Sequence, residues 1–169
     1  MSKTSRMLMA LCAACAAMAA IRPVPASPEP GPERPLVERG RYLVMITGCN
    51  DCHTAGYTIT DGKIPESQWL MGDTLGYHGP WGTTYPVNLR LFMNALTQDQ
   101  WLQFTKTMHP RPPMPWWALR DMSTQDLRAL HAYVKWLGPA GRPAPRYLSP
   151  ELVPRGPVVH FPGEPGNGE

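Results

Sequence analysis

Cys49 and Cys52, followed at once by His53, form a C-x-x-C-H arrangement, the spacing of covalent c-type haem attachment. Each thiol can add across one haem vinyl group, its sulfur bonding one carbon and its hydrogen the other. One turn of backbone carries both sulfurs along the same porphyrin edge, and the adjoining imidazole comes under the iron. Two other chemistries use paired cysteines. A structural zinc site needs further Cys or His at ligand spacing, and no second pair follows downstream. A redox dithiol of the thioredoxin kind sits near a βαβ pattern, of which this chain shows none. The motif points to one haem c, with Cys49 and Cys52 as anchors and His53 as an iron ligand.

An iron held by His53 has a second axial position, and its occupant decides the function. Methionine raises the reduction potential and suits electron transfer, histidine gives a lower potential, and an open position permits ligand binding or activation. Met114 lies in Arg111-Pro112-Pro113-Met114-Pro115, where three prolines fix the backbone. Its thioether has little freedom left to lose on ligation, which makes it the expected distal ligand. Met71, Met93, Met108 and Met122 read more simply as packing. His78, in a glycine-rich loop, and His109, just before the Met114 segment, are the alternatives for a bis-histidine site. His131 and His160 read as a helix-face and a tail histidine.

The elements that must position these groups follow from punctuation and period. The 21 prolines and 15 glycines are unevenly placed, densest before Leu36 and after Leu137, which leaves a compact segment between irregular ends. Residues 1–26 read as a secretory leader: Lys3 and Arg6 at the start, an apolar run from Met7 to Ile21, and Val24-Pro25-Ala26 for cleavage. The apolar run is short for a membrane span. A retained anchor or lipidation at Cys15 are the rival readings, and only they would place the protein at a membrane. Cleavage removes Cys12 and Cys15, and takes Lys3, Arg6 and Arg22 from the 16 basic residues, leaving a balance with the 13 acidic ones. The mature chain is then formally neutral, and its charge gives no ground for nucleic-acid binding.

Residues 27–35 form a Pro-rich arm. Leu36 to Ile46 has helical spacing and stops at Gly48, so Cys49 hangs on a helix end. Gly40 in mid-helix costs about 1 kcal/mol relative to alanine, and close contact with another helix would be a physical reason for it. Thr54 to Asn94 shows no sustained period and reads as loops, with Trp69, Leu70, Met71, Tyr77, Trp81 and Tyr85 available to cover an apolar plate. Thr97-Gln98-Asp99-Gln100 fits a capping box opening a short helix that ends near Met108. Ser123 caps a last amphipathic helix ended by Gly138-Pro139. The composition after Pro139 cannot bury enough apolar surface to fold alone. That tail is either disordered or strapped to the domain through Val158, Val159 and Phe161, unless these form a docking motif for a partner.

A helix, C-x-x-C-H, aromatic loops, a short helix, a Met-Pro loop and a capped terminal helix come in an order that resembles the monohaem class I cytochromes c. The resemblance covers residues 36–138 and leaves 139–169 as an extended tail. It implies an all-α fold: a small cytochrome c-like domain of three to five helices around a covalent haem, with long irregular extensions. It makes Cys49 and Cys52 the thioether anchors, His53 the proximal ligand and Met114 the distal one. It also implies that the first and last helices cross, with Gly40 and Tyr42 against Leu130, Tyr133 and Leu137. The stretch Gly79-Pro80-Trp81-Gly82 through Tyr85-Pro86-Val87-Asn88-Leu89, with Met114-Pro115-Trp116, is similar to cytochromes that accept electrons from periplasmic dehydrogenases. Those relatives often carry two or three haem domains, whereas this chain carries one motif.

The function expected is that of an exported, periplasmic electron carrier rather than an enzyme. An upstream dehydrogenase would reduce it, and an oxidase or another cytochrome would take the electron. Such encounters are small and short-lived, and a neutral chain should make them through an apolar ring with weak salt dependence. The alternatives are a haem-based ligand sensor with a displaceable sixth ligand, and a peroxidase with His109 and Arg111 as distal groups. Arg90, Arg111, Tyr85 and Trp81 are the candidate donors to the haem carboxylates.

Overall fold

The computed structural model describes residues 33–162. The leader, its cleavage at Ala26, the rival anchor and lipidation readings, the Pro-rich arm up to Pro32 and residues 163–169 lie outside the described residues. The helical class expected from sequence is the one observed, with six helices and few strands among the described residues. The count exceeds the expected three to five because the C-x-x-C-H turn is itself helical and two six-residue helices arise where no period announced them.

The first helix, α1, spans Arg34–Ile46 and begins with a proline at its first turn, where the missing N–H is no loss. It ends at Thr47, whose hydroxyl donates to Leu43 O at 2.8 Å. Gly48 follows with φ of 72°, a left-handed conformation that glycine adopts without steric penalty. That turn redirects the chain into α2, Cys49–His53. Next come loops with two 3₁₀ turns and then a hairpin of β1, Gly76–Gly79, and β2, Gly82–Thr84.

Asn88 caps α3, Leu89–Asn94, by accepting from Leu91 N. The expected capping box is present at α4, Gln98–Thr107, with Gln100 N donating to Thr97 Oγ1 and Thr97 N donating to Gln100 Oε1. Replacing Thr97 by alanine should lower stability by about 1 kcal/mol, measurable as a shift of the urea midpoint at constant m. After the proline loop, α5 spans Trp116–Asp121. Ser123 accepts from Asp126 N to cap α6, Thr124–Leu137, and Gly138 with φ of 69° ends it.

The frame is the crossing of α1 and α6. Leu43 and Val44 on α1 pack with Leu127, Ala129, Leu130, Tyr133 and Val134 on α6, joined by Trp69, Leu70, Met93 and Trp101 in one buried cluster. Gly40 lies at the crossing: a Cβ built there would stand 2.0 Å from Ala129 O and 2.7 Å from Tyr133 Cβ. The close contact that its presence suggested is therefore real. Tyr42, expected on the same face, is instead 51% exposed. It lies beneath the Arg39 guanidinium at 5.5 Å, because its position on α1 points it away from α6.

The tail is a strap over residues 139–162. Asn88 Nδ2 donates to Ala140 O and Arg142 O. Thr83 and Leu148 exchange backbone bonds at 2.8 and 3.0 Å. Finally β3, Val158–His160, pairs in parallel with β1, giving a sheet of order β2-β1-β3. Phe161 packs against Tyr77 and Trp81, so the apolar residues suspected as anchors do hold the tail.

Candidate functional site

Beside α2 lie two adjoining cavities, about 100 and 430 Å³, together within the size of small-molecule and cofactor clefts. Cys49, Cys52, His53 and Met114 all line the first, with Val44, Leu70, Leu89, Met93, Trp101, Leu119, Leu130 and Val134 among the apolar walls. Cys52, His53 and Met114 also line the second. Residues far apart in sequence thus come to one slot, between α2 on one side and the proline-held loop on the other.

The imidazole is oriented by its backbone surroundings. Gly72, with φ of 80°, lies so close to the segment 86–88 that a Cβ would meet Pro86 O at 2.8 Å and Asn88 N at 2.9 Å. Its N–H donates to His53 O, while Asp73 N donates to Pro86 O and Leu89 N to Leu70 O. That close approach brings Val87 O within 2.8 Å of His53 Nδ1. A carbonyl only accepts, so Nδ1 carries the proton and Nε2 keeps its lone pair, the arrangement that fixes a metal-binding tautomer. Burial pushes the His53 pKa below its ordinary value, against the opposing pull of the Val87 carbonyl, and keeps the ring neutral. Inside the motif, Thr54 Oγ1 donates to Asn50 Oδ1 at 2.7 Å and accepts from Leu70 N at 2.8 Å, tying α2 to the loop that lines the slot.

The thiols are unpaired. Burial raises the Cys49 thiol above its ordinary range, so it stays an S–H. Tyr77 hydroxyl donates to Cys52 Sγ at 3.7 Å. On the other wall, Met114 is held by Pro113 and Pro115, and Thr84 Oγ1 donates to Pro112 O at 2.9 Å, tying the loop to β2. Met93 and Met122 line the first cavity as well, whereas Met71 and Met108 do not; Met71 packs by the tail at Gly141.

The four other histidines line neither cavity. His78 bonds to Thr83 Oγ1 and lies edge-on to His160. His109 is exposed, packs at a tilt against Trp116 and bonds to Thr107 O. His131 is buried and donates through Nε2 to Leu96 O. Burial holds the His131 pKa below its ordinary value of 6.5, so the unfolded chain takes up the proton first as the pH falls. Stability is then kept above the unfolded value and lost on acidification below it. In His131→Gln, the loss of unfolding free energy between about pH 7.5 and about pH 5.5 should shrink, as urea titrations at the two values would register.

Of the six residues expected to cover an apolar plate, Leu70 lines the first cavity, and Tyr77 and Tyr85 the second. Trp69 belongs to the core, where its indole donates to Ile64 O. Among the candidate carboxylate donors, Arg111 and Tyr85 line the second cavity but Trp81 does not. Arg90 is corrected outright. It is buried and spends its guanidinium on Gly138 O at 2.6 Å, Leu137 O and Ser67 O at 2.8 Å. The first two are free carbonyls at the end of α6, where a cation also meets the negative end of the helix dipole.

Chemically, the site offers two thiols one turn apart, an imidazole with a free nitrogen, a thioether on the same slot and largely apolar walls. That donor set fits a flat apolar macrocycle with a metal at its centre. Among the described residues no group of three or more His, Cys, Asp or Glu could hold a bare metal ion. No helix among them is long and apolar enough to cross a membrane.

Over 144 residues, 77% of the chain, the sequence is 29% identical to the fructose dehydrogenase cytochrome subunit of Gluconobacter japonicus. The chain spans 27% of that protein's length, so the likeness is to part of a longer cytochrome. No family model and no solved structure matches.

Proposed function

We propose that this protein is an exported electron carrier with a single covalent haem c, held by Cys49, Cys52, His53 and Met114. The observation that carries the reading is the meeting of the C-x-x-C-H turn and the proline-held Met114 on one slot, with apolar walls and no second histidine among the described residues that line it. When bound, the haem supplies the iron that cycles between ferrous and ferric states. The chain's own residues hold the ligand set unchanged through that cycle. Val87 O keeps the His53 ring fixed, the prolines keep the thioether in place, and the first cavity gives the macrocycle an apolar wall. A rigid ligand set with an apolar wall means little reorganisation on electron transfer, which is the work of a carrier.

The likeness to a dehydrogenase cytochrome subunit supports a dehydrogenase as donor, with an oxidase or another cytochrome as acceptor. Ile46 and Trp117, both more than half exposed, neighbour Thr47 and Ala118 in the cavity wall and suit an apolar docking edge. The test is the optical spectrum of the exported protein. Haem that survives acid-acetone extraction, a ferric sulfur-to-iron charge-transfer band in the near infrared and a ferrous spectrum indifferent to carbon monoxide are expected. A high-spin haem that binds carbon monoxide in the native protein would replace the carrier reading with the sensor.

A further inference from the structure

The second cavity has a wall the first lacks. Pro145, Arg146 and Tyr147 of the C-terminal strap line it opposite Tyr85 and the loop of Pro110, Arg111 and Pro113. Two guanidiniums and no carboxylate stand in this lining, and neither Arg111 nor Arg146 has an ion-pair partner among the described residues. The first cavity has no Lys or Arg among the described residues of its walls. Any bound group with an apolar body and an anionic end has only one orientation that pairs its charges.

The Arg111 guanidinium lies 3.8 Å above the centroid of the Tyr147 ring. Stacking holds it by its face and leaves its N–H donors free in the plane. Tyr147 is itself fixed, since its hydroxyl donates to Trp81 O at 2.9 Å and the next residue, Leu148, pairs with Thr83. The strap therefore aims one arginine and contributes another.

We propose that the C-terminal strap completes the haem site, with Arg146 on the strap and Arg111 stacked on its Tyr147 binding the two carboxylates of the macrocycle. This rests on the haem reading above. Guanidinium and carboxylate match as paired donors and acceptors, and two such contacts orient the ring with its apolar edge toward Val44, Leu70 and Trp101. They also offset negative charge near the iron, which favours the reduced state relative to bare carboxylates. The other titratable side chains facing this cavity are Cys52, His53, Tyr77 and Tyr85. The first two are used in attachment, and burial holds the Tyr77 phenol above its ordinary range.

The experiment is the midpoint potential as a function of pH for the haem-loaded parent, R146Q, R146K, Y147A and R142Q. Arg142 is on the same strap but lines a separate surface hollow. In R146Q the carboxylate ionisation that bends the profile should move up by about one pH unit, a tenfold change in its acid constant, and the potential above it should fall. R146K should restore most of the shift, Y147A should reproduce part of it, and R142Q should follow the parent. Superimposable profiles for R146Q, Y147A and the parent, all carrying extraction-resistant haem, would overturn this inference alone. A parent without such haem would overturn the functional reading and this inference with it.

Discussion

Replacing Met114 by alanine is expected to turn a closed haem into an open one. The near-infrared sulfur-to-iron band should disappear, the ferrous protein should bind carbon monoxide, and the midpoint potential should fall by a sizeable part of the roughly 0.8 V that axial ligation spans. The direction follows from the loss of thioether ligation, which raises the potential of a haem relative to other ligand sets. The fold should survive, because Met114 lies outside the buried cluster that joins α1 and α6. Two other methionines, Met93 and Met122, share the wall of the first cavity, so the same band should be recorded in M93L and M122L. An intact band in M114A together with its loss in one of these would move the distal ligand to that residue.

Gly40→Ala should be the most damaging change of a single methyl group. On an exposed helix face the substitution would stabilise by about 1 kcal/mol through helix propensity. At this crossing the new carbon would stand 2.0 Å from Ala129 O, and the obstacle is main chain that no rotamer change can move. The two helices must part, at a cost of about 3 kcal/mol or more, the upper range of overpacking. Thermal unfolding of the haem-loaded protein should show a midpoint lower by about 10 °C. A variant of unchanged stability would mean that α1 and α6 cross with more slack than a 2.0 Å approach implies. Ala129→Gly should not rescue the loss, since the atom in the way is a backbone oxygen.

What was legible in the sequence is what local chemistry dictates. Thr97 and Gln100 announce their helix because a capping box is a contact between near neighbours, and Gly40 points to a crossing because its cost in mid-helix is offset where another helix comes close. The attachment motif and the Pro-flanked methionine were legible as separate pieces; that they line one slot is a matter of tertiary folding. The six-residue helices α3 and α5 were missed because so short a segment shows too little of a helical period. The role of Arg90 was missed because its partners at the end of α6 are backbone carbonyls far along the chain and leave no trace in sequence. Arg146 was passed over for a similar reason: a proline-rich tail gives no sign of the strand it will lie beside. Tyr42 was misplaced because the likeness specified a helix pair but not the rotation of α1 within it.

The pairing of α1 with α6 also sets a timetable. These helices are joined across most of the described chain, so their contacts must offset the entropy of closing a long loop. Cys49 and Cys52 immediately follow α1, so as the polypeptide emerges they appear long before α6 exists to shut them in. On the haem reading proposed above, that order leaves both thiols open to covalent attachment while the chain is still arriving, before the last helix packs beside them. A circular permutant that began at α6 would reverse that sequence of events and should mature with less covalent haem per chain.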